Sequence, residues 1–509
     1  MLSIKHHTFV IFALIFILFG VYFGSLQAPF IFDDIYSIVN NPQIAISELD
    51  ASNLINAGFQ GLCQNRPLVG ITFALNYFFA GFDSASFRIV NVCIHIVNCL
   101  LVYWLTWLIL QLNFVTKKCQ IASKSGYNPP CWIAAFSTAA LFGLHPVQTQ
   151  AVTYIVQRYT SLAALFFLAA LICFIYARKS LSCFGNTSNR SVACCFWALC
   201  AFFGMAALLC KQNTACLMGI LILTELVFFD QSWAGWKRKI VALTIFIFVT
   251  GLTTLLIKGQ FGGFNFGELL EDISSMSRET TEVSRWQYLC TQFNVIVIYI
   301  ATILFPANLN FDHLYPFKTG FFDGLTPLAF LFLASLLSVG VLFFKRNRII
   351  SYGIFWFFIC LSIESSIFPI SDAMVEHRLY LPSIGVFIIF GYLLSLVSNK
   401  KVAGVALFLC IAFLGIATFQ RNRVYNDDVA LWADVVQKNP HNYRAFFNLG
   451  NALIRKDRLA ESETALRQAL LLMPDYPKAN YNLGVNLQRQ KRIDDAILCY
   501  KAAIAQDAE

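Results

Sequence analysis

A chain of 509 residues has length for about three or four domains, yet only 13% of it is charged, against roughly a quarter in soluble proteins. That deficit excludes a soluble enzyme, and it is uneven: 24 Asp, Glu, Lys and Arg fall in the 89 residues 421–509, leaving 41 for the preceding 420. The chain therefore divides near Arg421 into a membrane domain, residues 1–420, and a small water-soluble tail. The net charge of +9 does not point to nucleic acid. The excess sits in short clusters between apolar runs (Lys117-Lys118, Lys237-Arg238-Lys239, Lys345-Arg346-Asn347-Arg348, Lys400-Lys401), the usual topology signal of a multispan protein.

Predominantly apolar runs suited to about 30 Å of hydrocarbon come in the order 8–30, 89–116, 131–144, 151–177, 192–210, 212–229, 240–257, 325–344, 349–368, 379–398 and 402–420. Three are less clean: 131–144 is short, 151–177 contains Arg158 about a third of the way in, and 212–229 has Glu225 near its end. The first, after Lys5-His6-His7, has the outline of a signal peptide, but ten further spans make it a retained anchor. The 51 Phe residues suit a lipid-facing surface. Most of the 16 Cys lie inside apolar runs, as Cys194, Cys195, Cys200 and Cys210 do, and act as small hydrophobes; no paired CxxC motif suggests zinc.

Loop charges set the orientation: Lys5, Lys117-Lys118-Lys124, Arg178-Lys179-Arg190 and Lys237-Arg238-Lys239 all fall on the cytoplasmic side. A further crossing at 289–305 would put the Lys345 and Lys400 clusters on the wrong side, so that run is expected to be re-entrant or interfacial. Segments 33–87, 259–322, 369–378 and everything after Arg421 then face outward. They hold nearly all the acidic residues of the membrane half, which is an independent check.

In the tail, Asn448-Leu449-Gly450 recurs as Asn482-Leu483-Gly484 and Pro440 as Pro474, each 34 residues apart. That period is specific to tetratricopeptide repeats, helix-turn-helix units that stack into an α-solenoid. Gly450 and Gly484 allow close helix packing while Leu466, Ala469, Tyr500 and Ala503 fill the seams. Residues 440–509 make two repeats, and 421–439 a connector and half-repeat whose Trp432 is expected to dock as a cap.

Asp33 and Asp34 follow the first span directly. Adjacent carboxylates repel and raise one pKa, which prepares a general base or a metal ligand; the alternative is a solvated juxtamembrane pair. Arg158 inside a span costs about 2.5–3.5 kcal/mol if unpaired and so wants an anion. Lys211, at the outer end of a hairpin between spans, and Arg378, beside Glu376 and His377 in an outward loop, add cations on the same face. Three cations opposite two acids resemble a site where a phosphate leaves while a hydroxyl is deprotonated; each cation alone equally suits snorkelling. His145-Pro146 reads as a loop cap or as part of that site, and His95 as a hydrogen-bonded structural histidine. No P-loop or GxGxxG is present. What remains is an outward-facing site at membrane depth, suited to a lipid-linked phosphate.

Phe32-Asp33-Asp34, Arg66-Pro67-Leu68 with Asn76-Tyr77, Asn91 and His95, His145-Pro146 with Ala151-Val152 and Arg158, Cys210-Lys211, and Glu376-His377-Arg378-Leu379-Tyr380-Leu381-Pro382-Ser383 together resemble the transmembrane and tetratricopeptide-repeat O-mannosyltransferases. The resemblance covers essentially the whole chain. It implies an all-α polytopic membrane bundle of the C-type glycosyltransferase kind, with about eleven spans, followed by a short repeat solenoid. It further implies transfer of a sugar, mannose or another hexose, from a polyprenyl-phosphate carrier to a protein Ser/Thr hydroxyl at the outer or lumenal face. By that analogy Asp33 or Asp34 is the catalytic base, Asp33 being favoured, and Arg158, Lys211 and Arg378 neutralise the departing lipid phosphate, with His145, Glu376 and His377 in support. Partners would be the lipid-linked donor, membrane lipid and a protein acceptor held by the repeats, with no nucleic acid and no required cofactor, dependence on a divalent metal being left open. The sequence departs from the family in Gln212 after the Cys-Lys pair, in His377 inserted before Arg378, and in a short tail. The short tail suggests a bacterial cytoplasmic-membrane relative with the repeats in the periplasm, the alternative being the endoplasmic reticulum with a lumenal tail. Two other classes fit the bare residues: a non-catalytic scaffold, and a lipid-linked-sugar transporter, against which stands the lack of an internal repeat between halves.

Overall fold

The computed structural model describes residues 4–60, 66–120, 131–182, 187–229, 283–366 and 368–507, together with positions 244, 251, 252 and 280. Apolar runs become helices because hydrocarbon offers the backbone no other hydrogen-bond partner. The helices are α1 (Ile4–Phe23), α2 (Ala51–Phe59), α3 (Pro67–Ala80), α4 (Ser84–Gln120), α5 (Cys131–Leu144), α6 (Thr149–Thr153), α7 (Arg158–Ser182), α8 (Thr187–Cys210) and α9 (Leu217–Phe228). After them come α10 (Arg285–Leu304), α11 (Thr326–Arg346), α12 (Arg348–Leu361), α13 (Tyr380–Leu396) and α14 (Lys400–Val424). The tail adds α15 (Asp428–Lys438), α16 (Tyr443–Arg455), α17 (Leu459–Leu472), α18 (Pro477–Arg489) and α19 (Ile493–Asp507), and no strand occurs among the described residues.

Seven described stretches are long and apolar enough to cross a membrane, so the protein is a multi-pass membrane protein. Ile155–Leu181 is 78% buried and lies at the centre, whereas Thr326–Arg346 and Lys400–Val424 are 17% and 22% buried and turn Phe332, Phe408 and Phe413 outward, as a lipid-facing surface requires. The interior joins α1, α4, α5, α7, α12 and α13 through Leu18, Leu105, Phe142, Leu171, Trp356 and Ile384. Where α12 crosses α13 the backbones touch: a methyl group on Gly353 would sit 2.5 Å from the Gly385 carbonyl oxygen, and the reverse holds as well.

Three expectations change. The run at 289–305 is not re-entrant. It lies within α10, which is uninterrupted, contains neither Gly nor Pro, and opens on a Ser284/Gln287 capping box. Its polar contacts are with segments that flank the acids: Tyr288 donates to the Glu364 carbonyl at 2.7 Å, Gln292 to Ala373 at 2.9 Å and Asn294 to the Thr326 hydroxyl at 2.8 Å, while Tyr299 bonds to Val375. By length and composition α10 is itself one of the seven stretches able to cross a membrane. Second, the run at 151–177 is broken: α6 ends at Thr153, a tight turn covers Ile155–Gln157, and Arg158 is the first residue of α7. Arg158 thus sits at a helix end, near the start of the crossing stretch Ile155–Leu181, rather than a third of the way along it. Third, α1 stops at Phe23, so Asp33 and Asp34 lie well past it, at the start of a short helical turn that runs on to Val39. The expected span at 240–257 falls, but for three positions, outside the described residues.

In the tail, α16 packs on α17 and α18 on α19 at the glycines singled out by the repeat. A methyl group on Gly450 would meet Leu466 at 2.6 Å, and one on Gly484 would meet Tyr500 at 2.6 Å. A second apolar cluster runs from the outward segment into the tail, with Phe73, Phe87, Tyr154, Phe311 and Trp432 in it.

Candidate active site

The two neighbouring acids part company. Asp34 is fully buried, and its carboxylate accepts from the N–H groups of Ile31 at 3.1 Å and Val156 at 2.7 Å. It therefore ties the loop after α1 to the turn before α7. Arg88, buried near the start of α4, fixes the same junction by donating to the carbonyls of Thr153, at 3.0 Å, and of Ala28 and Pro29. Burial raises the Asp34 carboxyl to about 7, outweighing Arg88 and the two N–H donors. Between about pH 4 and 7 the folded chain then binds more protons at this group than the unfolded chain does. Its contribution to stability is complete at the acid end and falls as pH rises. We expect the thermal unfolding midpoint in detergent to drop across that window, and Asp34→Asn to flatten the drop; an unchanged slope in the variant would exclude Asp34 as its source.

Asp33 is exposed, by contrast. Its N–H donates to the Tyr154 hydroxyl at 3.0 Å. The protein around it strips away enough water to raise its carboxyl, helped by Asp372 and opposed by Tyr154 and Arg66. Phe32, just before it, has φ 46°, a left-handed conformation that costs a non-glycine residue about 1–3 kcal/mol. Phe32 is held there by contacts to Phe311 and Trp432.

A second group of charges faces this loop. Lys211, between α8 and α9, is paired with Glu364 at 3.0 Å and donates to the Thr160 hydroxyl at 3.3 Å. Asn213 holds the other Glu364 oxygen at 2.9 Å. Burial alone would raise the Glu364 carboxyl, but Lys211 and Arg378 outweigh it and hold the group at about 2. Burial also lowers the Lys211 ammonium, less than it would without Glu364. Arg378 donates to the carbonyls of Ala373 at 3.1 Å and Asp372 at 2.8 Å. Arg66 lies over the Tyr159 ring at 4.2 Å, and its charge is felt at both Asp33 and Lys211. Arg66 thus links the exposed Asp33 electrostatically to the buried Lys211, which Glu364 joins to the field of Arg378.

The remaining residues expected at the site have other partners. Arg158 is fully buried and donates to Asn91 at 2.7 Å, to the Thr72 carbonyl and hydroxyl at 3.2 and 3.3 Å, and to the Phe87 carbonyl at 2.9 Å. The Phe73 ring covers its guanidinium at 4.6 Å. Every nitrogen has a protein acceptor, and none of these partners is shared with Lys211 or Arg378. His145 takes the cap role: Nδ1 accepts from the Val147 N–H at 3.2 Å, so the protonated Nε2 donates to the Ile303 carbonyl at 3.0 Å, and burial lowers its pKa to about 4. Buried Glu376 accepts from the Asn310 N–H and from His313 at 3.0 Å. His377 bonds through its N–H to Gln150 at 2.8 Å and is within electrostatic reach of Glu364. His95 is structural, between Tyr380 at 2.7 Å and the Gly143 carbonyl at 3.0 Å.

The tail reaches Asp372, whose charge acts on Asp33. Arg444 of α16 bridges Asp312 at 2.6 Å and Asp372 at 2.8 Å. Lys438 donates to the Leu309 carbonyl at 2.7 Å and Asn439 to the His313 carbonyl at 2.8 Å.

The tetratricopeptide repeat family model matches residues 443–476 and 477–509. The membrane half has curated relatives as well. Protein O-mannosyl-transferase Tmtc3 of Drosophila melanogaster is 24% identical across 95% of this chain and 57% of its own length. Human Protein O-mannosyl-transferase TMTC1 is 27% identical across 91% of this chain and 55% of its own. This chain is homologous to the TMTC proteins along most of its length. A Caenorhabditis elegans Protein O-mannosyl-transferase matches at 25% across 89% of the chain and 61% of its own length. The chain thus spans a little over half the length of the TMTC relatives it matches.

Proposed function

We propose that the chain is a membrane glycosyltransferase that moves mannose or another hexose from a polyprenyl-phosphate carrier to a Ser or Thr hydroxyl of a protein. The observation that carries the reading is an exposed Asp33 with a raised carboxyl, whose neighbour Arg66 also acts on Lys211, while Lys211 and Arg378 both act on Glu364. The acceptor oxygen attacks the anomeric carbon while the bond from that carbon to the phosphate oxygen breaks. The hydroxyl proton passes to Asp33, and the bonding pair leaves with the polyprenyl phosphate, whose charge Lys211 and Arg378 meet. Asp34, Arg88 and Arg158 position the loop that carries the base. No metal is needed for this step, because side chains supply the positive charge. The names of the TMTC relatives support the transferase class, and their animal sources favour the lumenal over the bacterial placement. Purified protein in detergent, given a panel of polyprenyl-phosphate sugars and Ser/Thr-containing peptides, should release free polyprenyl phosphate only with acceptor present. Release with no member of the panel would overturn the proposal.

A further inference from the structure

Trp432 belongs to the tail by sequence, yet it is 2% exposed and sits on the loop that carries Asp33. Its ring meets Phe32 at 5.4 Å and Phe311 at 5.4 Å between centroids. Phe311 in turn meets Tyr154 at 5.0 Å and Phe32 at 6.1 Å. Two routes therefore run from Trp432 to the acid. One passes through the left-handed backbone of Phe32, the residue before Asp33. The other passes through Phe311 to Tyr154, whose hydroxyl bonds to Asp33. Phe311 is braced from behind by Gln150, which donates to its carbonyl at 2.9 Å, and its loop is held to α15 by Lys438 and Asn439.

We propose that Trp432 is a positioning residue for Asp33, so that the first helix of the tail completes the catalytic centre rather than only presenting acceptor. This rests on the transferase reading above. A left-handed non-glycine residue persists only where its surroundings over-determine it, and the aromatic set around Phe32 contains one member from outside the membrane half. Without Trp432, Phe32 relaxes, Phe311 loses its outer wall, and both Asp33 and the Tyr154 hydroxyl lose their fixed places. The charged or titratable groups facing Asp33 are Tyr154, Asp372, Arg66 and Asp34, and Trp432 leaves that set unchanged, so its effect is one of geometry.

The test compares wild type, Trp432→Ala and Trp432→Phe as full chains in detergent, with two readouts. The first is the rate at which a water-soluble carbodiimide modifies Asp33, followed by peptide mass spectrometry, which requires no activity. Trp432→Ala should change that rate by about threefold or more, and Trp432→Phe, which keeps an aromatic wall, by less. The second is kinetic: Trp432→Ala should lower kcat about tenfold at unchanged donor KM, and should add no further loss to an Asp33→Asn background. Unchanged labelling in Trp432→Ala overturns the positioning role whatever the activity. Altered labelling in Trp432→Ala, beside a wild-type chain that transfers no sugar, leaves the positioning intact and sinks the transferase reading instead. A Trp432→Ala chain that fails to insert leaves the decision to Trp432→Phe, whose labelling must then lie measurably between wild type and Asp33 in a denatured control; wild-type labelling overturns the proposal.

Discussion

Asp33→Asn should lower turnover by about 10²–10⁴-fold, the range by which a positioned general base contributes, while leaving donor affinity near wild type. The split follows from the proposal: Asp33 is exposed and engages Tyr154, whereas the donor charge is assigned to Lys211 and Arg378. The pH profile offers a second reading. A base works as the carboxylate, so kcat/KM should fall about tenfold per pH unit on the acid side. That limb should lie above the ordinary carboxylate pKa of about 3.9, because desolvation and Asp372 raise Asp33 more than Tyr154 and Arg66 lower it. The limb should vanish in Asp33→Asn. Asp34→Asn should keep turnover within about tenfold, since Asp34 is buried against two backbone N–H groups. Equal losses in the two variants would return the pair to a joint role, and near-wild-type turnover in both would remove the centre of the enzyme reading.

The acids were legible in the sequence because two carboxylates directly after an apolar run are conspicuous. Which one is free was not, since the partner that buries Asp34 is the N–H of Val156, 122 residues away. Arg158 was legible as a cation needing a partner, but the acid that its charge demanded is replaced by neutral oxygens of Asn91, Thr72 and Phe87. A signal for this was present. Arg88, Asn91, His95 and Asn98 recur at helical spacing along α4, all fully buried, and the stripe reaches across to the α6–α7 junction, Gly143 and Tyr380. Helix-forming stretches and the repeat seam followed from apolar runs and the 34-residue period. The break before α7 did not, because Ile155 and Val156 are as apolar as a helix interior and the groups that hold the turn, Asp34, Asn91 and Arg88, come from distant segments. Glu364 stayed hidden at the end of an apolar run, although it is the lone acid between Asp323 and Asp372.

Lys211→Met should weaken donor binding about tenfold to hundredfold, whereas Glu364→Gln should not weaken it and should tighten it where release of Lys211 limits binding. A hydrogen bond to a charged group is worth about 1.5–3 kcal/mol, and each 1.4 kcal/mol is about tenfold in affinity. In the free protein that bond is made to Glu364, whose carboxyl stays ionised down to about 2, so Glu364 occupies the place a donor phosphate would take on Lys211. The carboxylate also compensates a buried ammonium whose charge burial disfavours. The phosphate must therefore compete with Glu364 for Lys211, and Gln, which keeps the shape and the Asn213 contact while removing the charge, lowers that competition. Opposite signs for the two variants are the point of the comparison, because a purely structural ion pair would respond to the loss of either partner in the same direction. Binding of a non-hydrolysable polyprenyl-phosphonate analogue, measured by calorimetry or displacement in detergent, reads this without turnover. Should both variants lose affinity equally, or neither, Lys211 and Glu364 are a structural pair. The phosphate would then fall to Arg378 and Arg66 alone.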